Sequence, residues 1–333
     1  MRIGNLTLST AFAAITVLIS IATAMNSEAR PPNKGTFVLS ADGGESNIWL
    51  TDDNGHDPRP LLFIDANPLP LGLVWSPDGN RIAFHTEAKG NVDIYMVDSE
   101  GKNLQRLTDS ESEDSYPSWH PNGQRLAFGT DRDGNFEIYE MIVLGRALRN
   151  ITKDPAKDVQ PDWSHDGRTI AFSSKRGRTI SDVYLMAPNG GSLVNLTNHK
   201  GGDFEPTWSP DDSKIAWSSS RHGNGDIFVM DANGENVIQL TGFAAGLEGQ
   251  WEESDLTWAP SGKKLAHIAF MGGVSSLYIT DPDGENRFEA PDVGGVNRAP
   301  SWFDPRFVVA FSVAPDNKKT LTWGWLKQIE RDQ

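Results

Sequence analysis

Six times in this chain a tryptophan is followed at a fixed offset by a turn and a short β run, and this recurrence constrains the fold more than any other feature. The segments are Trp75-Ser-Pro-Asp-Gly79, Trp119-His-Pro-Asn-Gly123, Trp163-Ser-His-Asp-Gly167, Trp208-Ser-Pro-Asp-Asp212, Trp258-Ala-Pro-Ser-Gly262 and a degenerate Trp302-Phe-Asp-Pro-Arg306. Successive tryptophans lie 44, 44, 45, 50 and 44 residues apart. The β runs that follow are Ile82-Ala-Phe84, Leu126-Ala-Phe128, Ile170-Ala-Phe172, Ile215-Ala-Trp217, Leu265-Ala-His267 and Val309-Ala-Phe311. Proline presets φ at the second turn position, aspartate suits the third and glycine the fourth, so each spacer reads as a hairpin between two strands.

A third strand follows in each unit, as in Asp93-Ile-Tyr-Met96, Glu137-Ile-Tyr-Glu140, Asp182-Val-Tyr-Leu185, Asp226-Ile-Phe-Val229 and Ser276-Leu-Tyr-Ile279. A fourth ends at Leu107-Thr108, Ile151-Thr152, Leu196-Thr197 or Leu240-Thr241. Four strands per unit of this length make a propeller blade, whose apolar face is buried only by the next blade. Before Trp75 the chain offers a second, third and fourth strand but no first. Docking of the strand that ends at Trp302 beside residues 36–40 supplies the missing partner and removes the open edges. The expected fold is therefore an all-β, six-bladed propeller of four-stranded antiparallel blades over residues 36–305, closed one strand plus three. The runs Phe307–Val313 and Thr320–Trp325 make residues 306–333 a cap or a partial seventh blade.

The N-terminus reads as a signal peptide over residues 1–24. Arg2 is followed by an apolar stretch from Ala11 to Ala24 that closes on Ala22-Thr23-Ala24, with a rival cleavage after Ala29 and an uncleaved anchor as the alternative. Residues 25–35 are then a linker, and the body is expected to be periplasmic or secreted, without a stable membrane anchor. No cysteine occurs, so disulfides and thiolate chemistry are excluded. The formal charge is -15, and loss of Arg2 with the signal makes it -16. That acidity disfavours nucleic acid and favours cations and basic protein surfaces as partners.

The Trp-Ser-Pro-Asp-Gly turn, the Ile-Ala-Phe strand, the third strand with its aromatic and the Leu-Thr ending together resemble the repeat of TolB-type β-propellers. The resemblance implies a periplasmic, non-enzymatic scaffold that binds other proteins. The smaller α/β domain that precedes the propeller in that family has no counterpart here, so the contacts made by that domain are not carried over. Propellers of similar repeat also precede α/β-hydrolase domains, but no Gly-x-Ser-x-Gly elbow is present.

Five residues before successive tryptophans stand Asp114, Asp158, Asp203, Glu253 and Asn297. Placed in the connection to each innermost strand, these groups would gather at the channel mouth, where like charges repel unless something cationic sits among them. One reading is a site for a basic peptide or a cation such as Ca²⁺ at Asp114, Asp158, Asp203 and Glu253. The other is that each carboxylate bonds nearby backbone amides and shapes its own loop. Asp131-Arg-Asp-Gly134 and Asp281-Pro-Asp-Gly284 resemble the start of a calcium loop but lack its later glutamate and read as turns. His85 occupies a strand end where other units have Gly129, Ser173 and Ser218, and His267 an aromatic position; the bland reading of His85 is a solvated strand end. Trp251, in the insertion Phe243–Glu252, is a candidate contact residue, while the repeated tryptophans read as core. The expected function is an exported, non-enzymatic propeller that binds a protein or basic peptide at an acidic channel mouth. Metal-assisted lysis of an oligouronide-type polysaccharide, or carbohydrate binding, is the alternative.

Overall fold

The computed structural model describes residues 37–303, apart from 42–46, 53, 66–69, 89, 145–146, 224, 243–250, 272–273 and 292–296. The expected signal peptide, linker and C-terminal strands lie outside the described residues. Within them the chain is an all-β propeller of four-stranded antiparallel blades, and six such sheets are present.

Sheet 1 runs Leu71–Trp75, Arg81–Ala88, Asn91–Asp98 and Gln105–Arg106 from inside outward. Sheets 2 to 5 repeat this order from the inner strands Asp114–Trp119, Asp158–Trp163, Asp203–Trp208 and Trp251–Trp258. The closing sheet joins the two ends of the repeat array. Asn297–Trp302 is its inner strand and pairs with Phe37–Ala41, which leads to Ile48–Thr51 and Arg59–Leu62. Phe37 stands opposite Trp302 and Val38 opposite Ser301. Each inner strand touches the next, and Asn297–Trp302 touches both Trp251–Trp258 and Leu71–Trp75, so the inner strands form a continuous ring.

The core lies between sheets and not within any one of them. A separate apolar cluster fills each interface; Phe84 and Trp75 of sheet 1, for example, pack with Ile48 and Leu50 of the closing sheet, and Trp208, Trp217 and Phe228 of sheet 4 with Ala171 and Val183 of sheet 3. All six repeated tryptophans are buried. The Ser-Pro-Asp-Gly spacer forms a tight turn tied by the leading serine: in sheet 1 the Gly79 N–H donates to the Ser76 carbonyl at 2.8 Å and Ser76 Oγ bonds Asp78 Oδ1. In sheet 4 the fourth position is Asp212, which takes φ of 59° and uses its carboxylate on the neighbouring turn, accepting the His165 and Asp166 N–H groups at 2.7 and 2.8 Å.

Candidate functional site

Asp114, Asp158 and Asp203 are the first residues of their inner strands and not members of the preceding connections. Each is fully buried, and each is held by an arginine eighteen residues further on in its own sheet. Arg132 Nη2 donates to Asp114 Oδ1 at 2.8 Å, Arg176 Nη2 to Asp158 Oδ2 at 2.6 Å, and Arg221 Nη2 to Asp203 Oδ1 at 3.0 Å. Each guanidinium also lies over the aromatic of its second strand, Phe128, Phe172 or Trp217. Burial nevertheless pushes the Asp158 carboxyl above its usual range, with the Arg176 and Ser174 bonds pulling the other way.

The expectation that these carboxylates stand open as a cation-binding ring is therefore corrected. Their cation is already in the chain, and the alternative of loop-shaping bonds to backbone amides is displaced by the same arginines. A Ca²⁺ ion at Asp114, Asp158 or Asp203 would have to expel a buried guanidinium. Among the described residues no group of three or more His, Asp or Glu is placed to hold a metal. Trp251, Glu253 and Asn297 lie on inner strands, but their side chains, and most of the Phe243–Glu252 insertion, are outside the described residues.

The channel is lined instead by positions three and one before each tryptophan. In five inner strands the pairing register slips, between Leu71 and Val74, Ser115 and Ser118, Val159 and Asp162, Phe204 and Thr207, and Ser254 and Thr257. Each slip inserts one residue against the second strand, which is a β-bulge. In three of them the inserted stretch carries Pro117, Pro161 or Pro206, whose missing N–H asks for no ladder partner. The third residue before each of these tryptophans takes a left-handed backbone: Tyr116, Gln160, Glu205 and Asp255 have φ between 53° and 55°, and Gly72 has 57°. A non-glycine residue held there costs roughly 1–2 kcal/mol, so four such residues around one axis are held by surrounding contacts.

Those contacts run round the ring. The Tyr116 N–H donates to His85 Nδ1 at 3.2 Å, and the Tyr116 hydroxyl is bonded to the Gln160 side chain. Gln160 Nε2 donates to Glu205 Oε1 at 3.2 Å, and the Glu205 N–H donates to Ser173 Oγ at 3.1 Å. Glu205 Oε2 accepts the Asp255 N–H at 2.8 Å. Burial, then the charges of Glu205 and Asp255, raise the Tyr116 hydroxyl well above its usual range.

The space they enclose measures about 260 Å³. Its wall is apolar, made of the repeated tryptophans and prolines, while its ionisable groups are Tyr116, Asp162, His165, Glu205 and Asp255. Among the described residues that line it there is no lysine and no arginine. Asp162 Oδ1 accepts Ser118 Oγ at 3.0 Å and Oδ2 accepts the Trp208 N–H at 2.8 Å. Burial lifts its carboxyl to about 6 against these bonds.

His85 is not a solvated strand end. It sits mid-strand in Arg81–Ala88, buried, and burial lowers its imidazole to about 3. The neutral ring fits because Gly72 faces it; a Cβ there would lie 2.9 Å from Nδ1. His267 in sheet 5 is likewise buried, lowered to about 3 by burial, and stacked on Tyr278, its partner on the neighbouring strand. Asp131 and Asp281 sit at turns, with the Gly134 and Gly284 N–H groups donating to their carbonyls.

Residues 65–180, which include the whole of sheets 1 and 2 and three of the five bulges, match the model of the TolB beta propeller domain, PD40. The crystal structure of TolB from Acinetobacter baumannii superposes with a TM-score of 0.70 at 25% identity, covering 87% of this chain and 71% of that one. Residues 65–180 thus form a stretch of TolB-type β-propeller. The Tol-Pal system proteins TolB of Thioalkalivibrio sulfidiphilus and Anaeromyxobacter dehalogenans are 37% and 32% identical over 71 and 90 residues, or 21% and 27% of this chain. Those stretches span only 16% and 20% of the two relatives. The putative TolB from Agrobacterium tumefaciens, 20% identical with a TM-score of 0.63 over 79% of this chain and 90% of that one, shares the fold of the TolB-type propeller.

The −3 and −1 positions could have been found in the sequence. Tyr116-Pro-Ser-Trp119, Gln160-Pro-Asp-Trp163 and Glu205-Pro-Thr-Trp208 place a proline inside a strand, which is the mark of a bulge.

Proposed function

We propose that this protein is an exported, non-enzymatic propeller scaffold that takes a basic side chain or basic terminus of a protein or peptide partner into its axial channel. The observation that carries this reading is the asymmetry of the lining: three carboxylates, Asp162, Glu205 and Asp255, and no described lysine or arginine. A lysine or arginine has an apolar stem and a cationic head, which suits a channel with tryptophan and proline walls and an acidic waist. Similarity to proteins named as Tol-Pal system TolB supports a protein partner and a periplasmic location.

The test is calorimetric titration of the purified protein with a triarginine amide at pH 7.5 and low ionic strength, beside a Glu205→Gln, Asp255→Asn double variant. Binding that falls at least tenfold in the variant is the expected result. Equal binding in both proteins, or none in the wild type, overturns the reading. Titration with CaCl₂ in place of the peptide tells whether a bare cation suffices.

A further inference from the structure

We propose that ligand capture in this channel is proton-linked through Asp162, which must give up a proton before a cationic group can settle against it. The inference rests on the channel reading above and adds its regulation. It begins with a departure from the repeat. At the position just before the tryptophan the six inner strands carry Val74, Ser118, Asp162, Thr207, Thr257 and Ser301, so a carboxylate stands at one place in six.

That carboxylate is tied into three sheets at once. Its own strand belongs to sheet 3, Ser118 Oγ donates to it from sheet 2, and the Trp208 N–H and the Thr207 hydroxyl bond it from sheet 4. Ser118 Oγ in turn accepts the Trp163 N–H at 3.0 Å, which fixes the hydroxyl as a donor toward Asp162. An asparagine in this place could still accept from Trp208 through its carbonyl oxygen, so the bonding pattern does not by itself demand an ionisable group. What an aspartate adds is a charge that can be switched.

The groups that share the space with it set the direction. Tyr116 on sheet 2, Glu205 on sheet 4 and Asp255 on sheet 5 are acids, and Asp212 on sheet 4 holds the ring of His165, 3.1 Å from its Nδ1. His165, on the turn after the Asp162 strand, is the basic group among them and favours the ionised form. Removal from bulk water outweighs that help and the hydrogen bonds, and leaves the carboxyl titrating at about 6. A guanidinium or ammonium entering the channel stabilises the carboxylate, so binding and deprotonation reinforce one another. Affinity then rises with pH through 6 and levels off above it; between pH 7 and pH 5 it changes about tenfold.

The experiment is the triarginine amide titration repeated from pH 5.0 to pH 7.5 on the wild type and on Asp162→Asn. In the wild type an affinity loss of about tenfold toward pH 5 is expected, and in Asp162→Asn a much flatter profile. A second reading needs no variant. Calorimetry at pH 6 in two buffers of different ionisation enthalpy is expected to report release of about half a proton per peptide bound. Binding without proton release at pH 6, or a pH profile unchanged by Asp162→Asn, overturns this inference and leaves the channel reading standing. No binding to the wild type at pH 7.5 overturns both.

Discussion

Two sets of carboxylates lie within a few residues of each other on the same inner strands, and they have opposite tasks. Asp114, Asp158 and Asp203 sit at the strand starts, fully buried, each with its arginine already in contact. Asp162, Glu205 and Asp255 line the channel, where hydroxyls, a side-chain amide and backbone N–H groups are among their partners. The first set is neutralised by the fold and holds each sheet's second strand to its first. The second is assembled from three different sheets and keeps its negative charge directed at an enclosed space. Acidic composition alone does not distinguish the two; the presence of an arginine within reach does.

Removing a member of the first set is expected to damage the fold. Asp158→Ala strands Arg176, whose remaining carboxylate is Asp154 at 3.6 Å. A loss of about 3 kcal/mol or more in urea unfolding is expected. If the variant is as stable as the wild type, the clamp is not what separates the two sets.

A smaller effect is expected where the ring is braced. His85→Ala leaves the Tyr116 N–H without its acceptor and should cost about 1–3 kcal/mol, whereas His85→Ser should recover part of it. The basis is sheet 3, where Ser173 occupies the same register position and accepts the Glu205 N–H. Equal losses in both variants would show that ring packing, and not the hydrogen bond, holds Tyr116 in its left-handed backbone.

The smallest expected effect depends on pH. The folded state holds the Asp162 proton more tightly than the unfolded chain, whose value is near 3.8. The stability this group contributes is therefore fully present below about 4 and lost as pH rises through about 6. Since Asp162 is only half-buried and faces the channel, the change amounts to about 1–2 kcal/mol. Asp162→Asn is thus expected to gain on the wild type at pH 8 relative to pH 5. A difference that is constant with pH would place Asp162 with the clamped set.

Much of the fold was legible because the repeat is dense. Six tryptophan registers located the inner strands, and the surplus of three leading strands pointed to pairing with the strand that ends at Trp302, which the structure shows as Phe37 opposite Trp302. The burial of those tryptophans followed from the same recurrence. The candidate lining lies two and four residues further along the strands than the carboxylates singled out in the sequence. The −5 carboxylates were placed in the connection ahead of each inner strand, whereas they open the strand itself, and the residue inserted between −4 and −1 turns the −3 and −1 positions to the channel. Asp158 was thus assigned to the channel, where Asp162 and its neighbours at 160 and 205 belong.

The linear sequence by itself determined the order of the four strands within a blade, the turns between them and the positions of the core tryptophans, because those depend on interactions within one repeat. Only the tertiary structure decided which acids are neutralised and which are kept for the channel. That assignment depends on a bulge that rotates the strand, and on arginines and hydroxyls brought in from eighteen residues away or from the adjoining sheets.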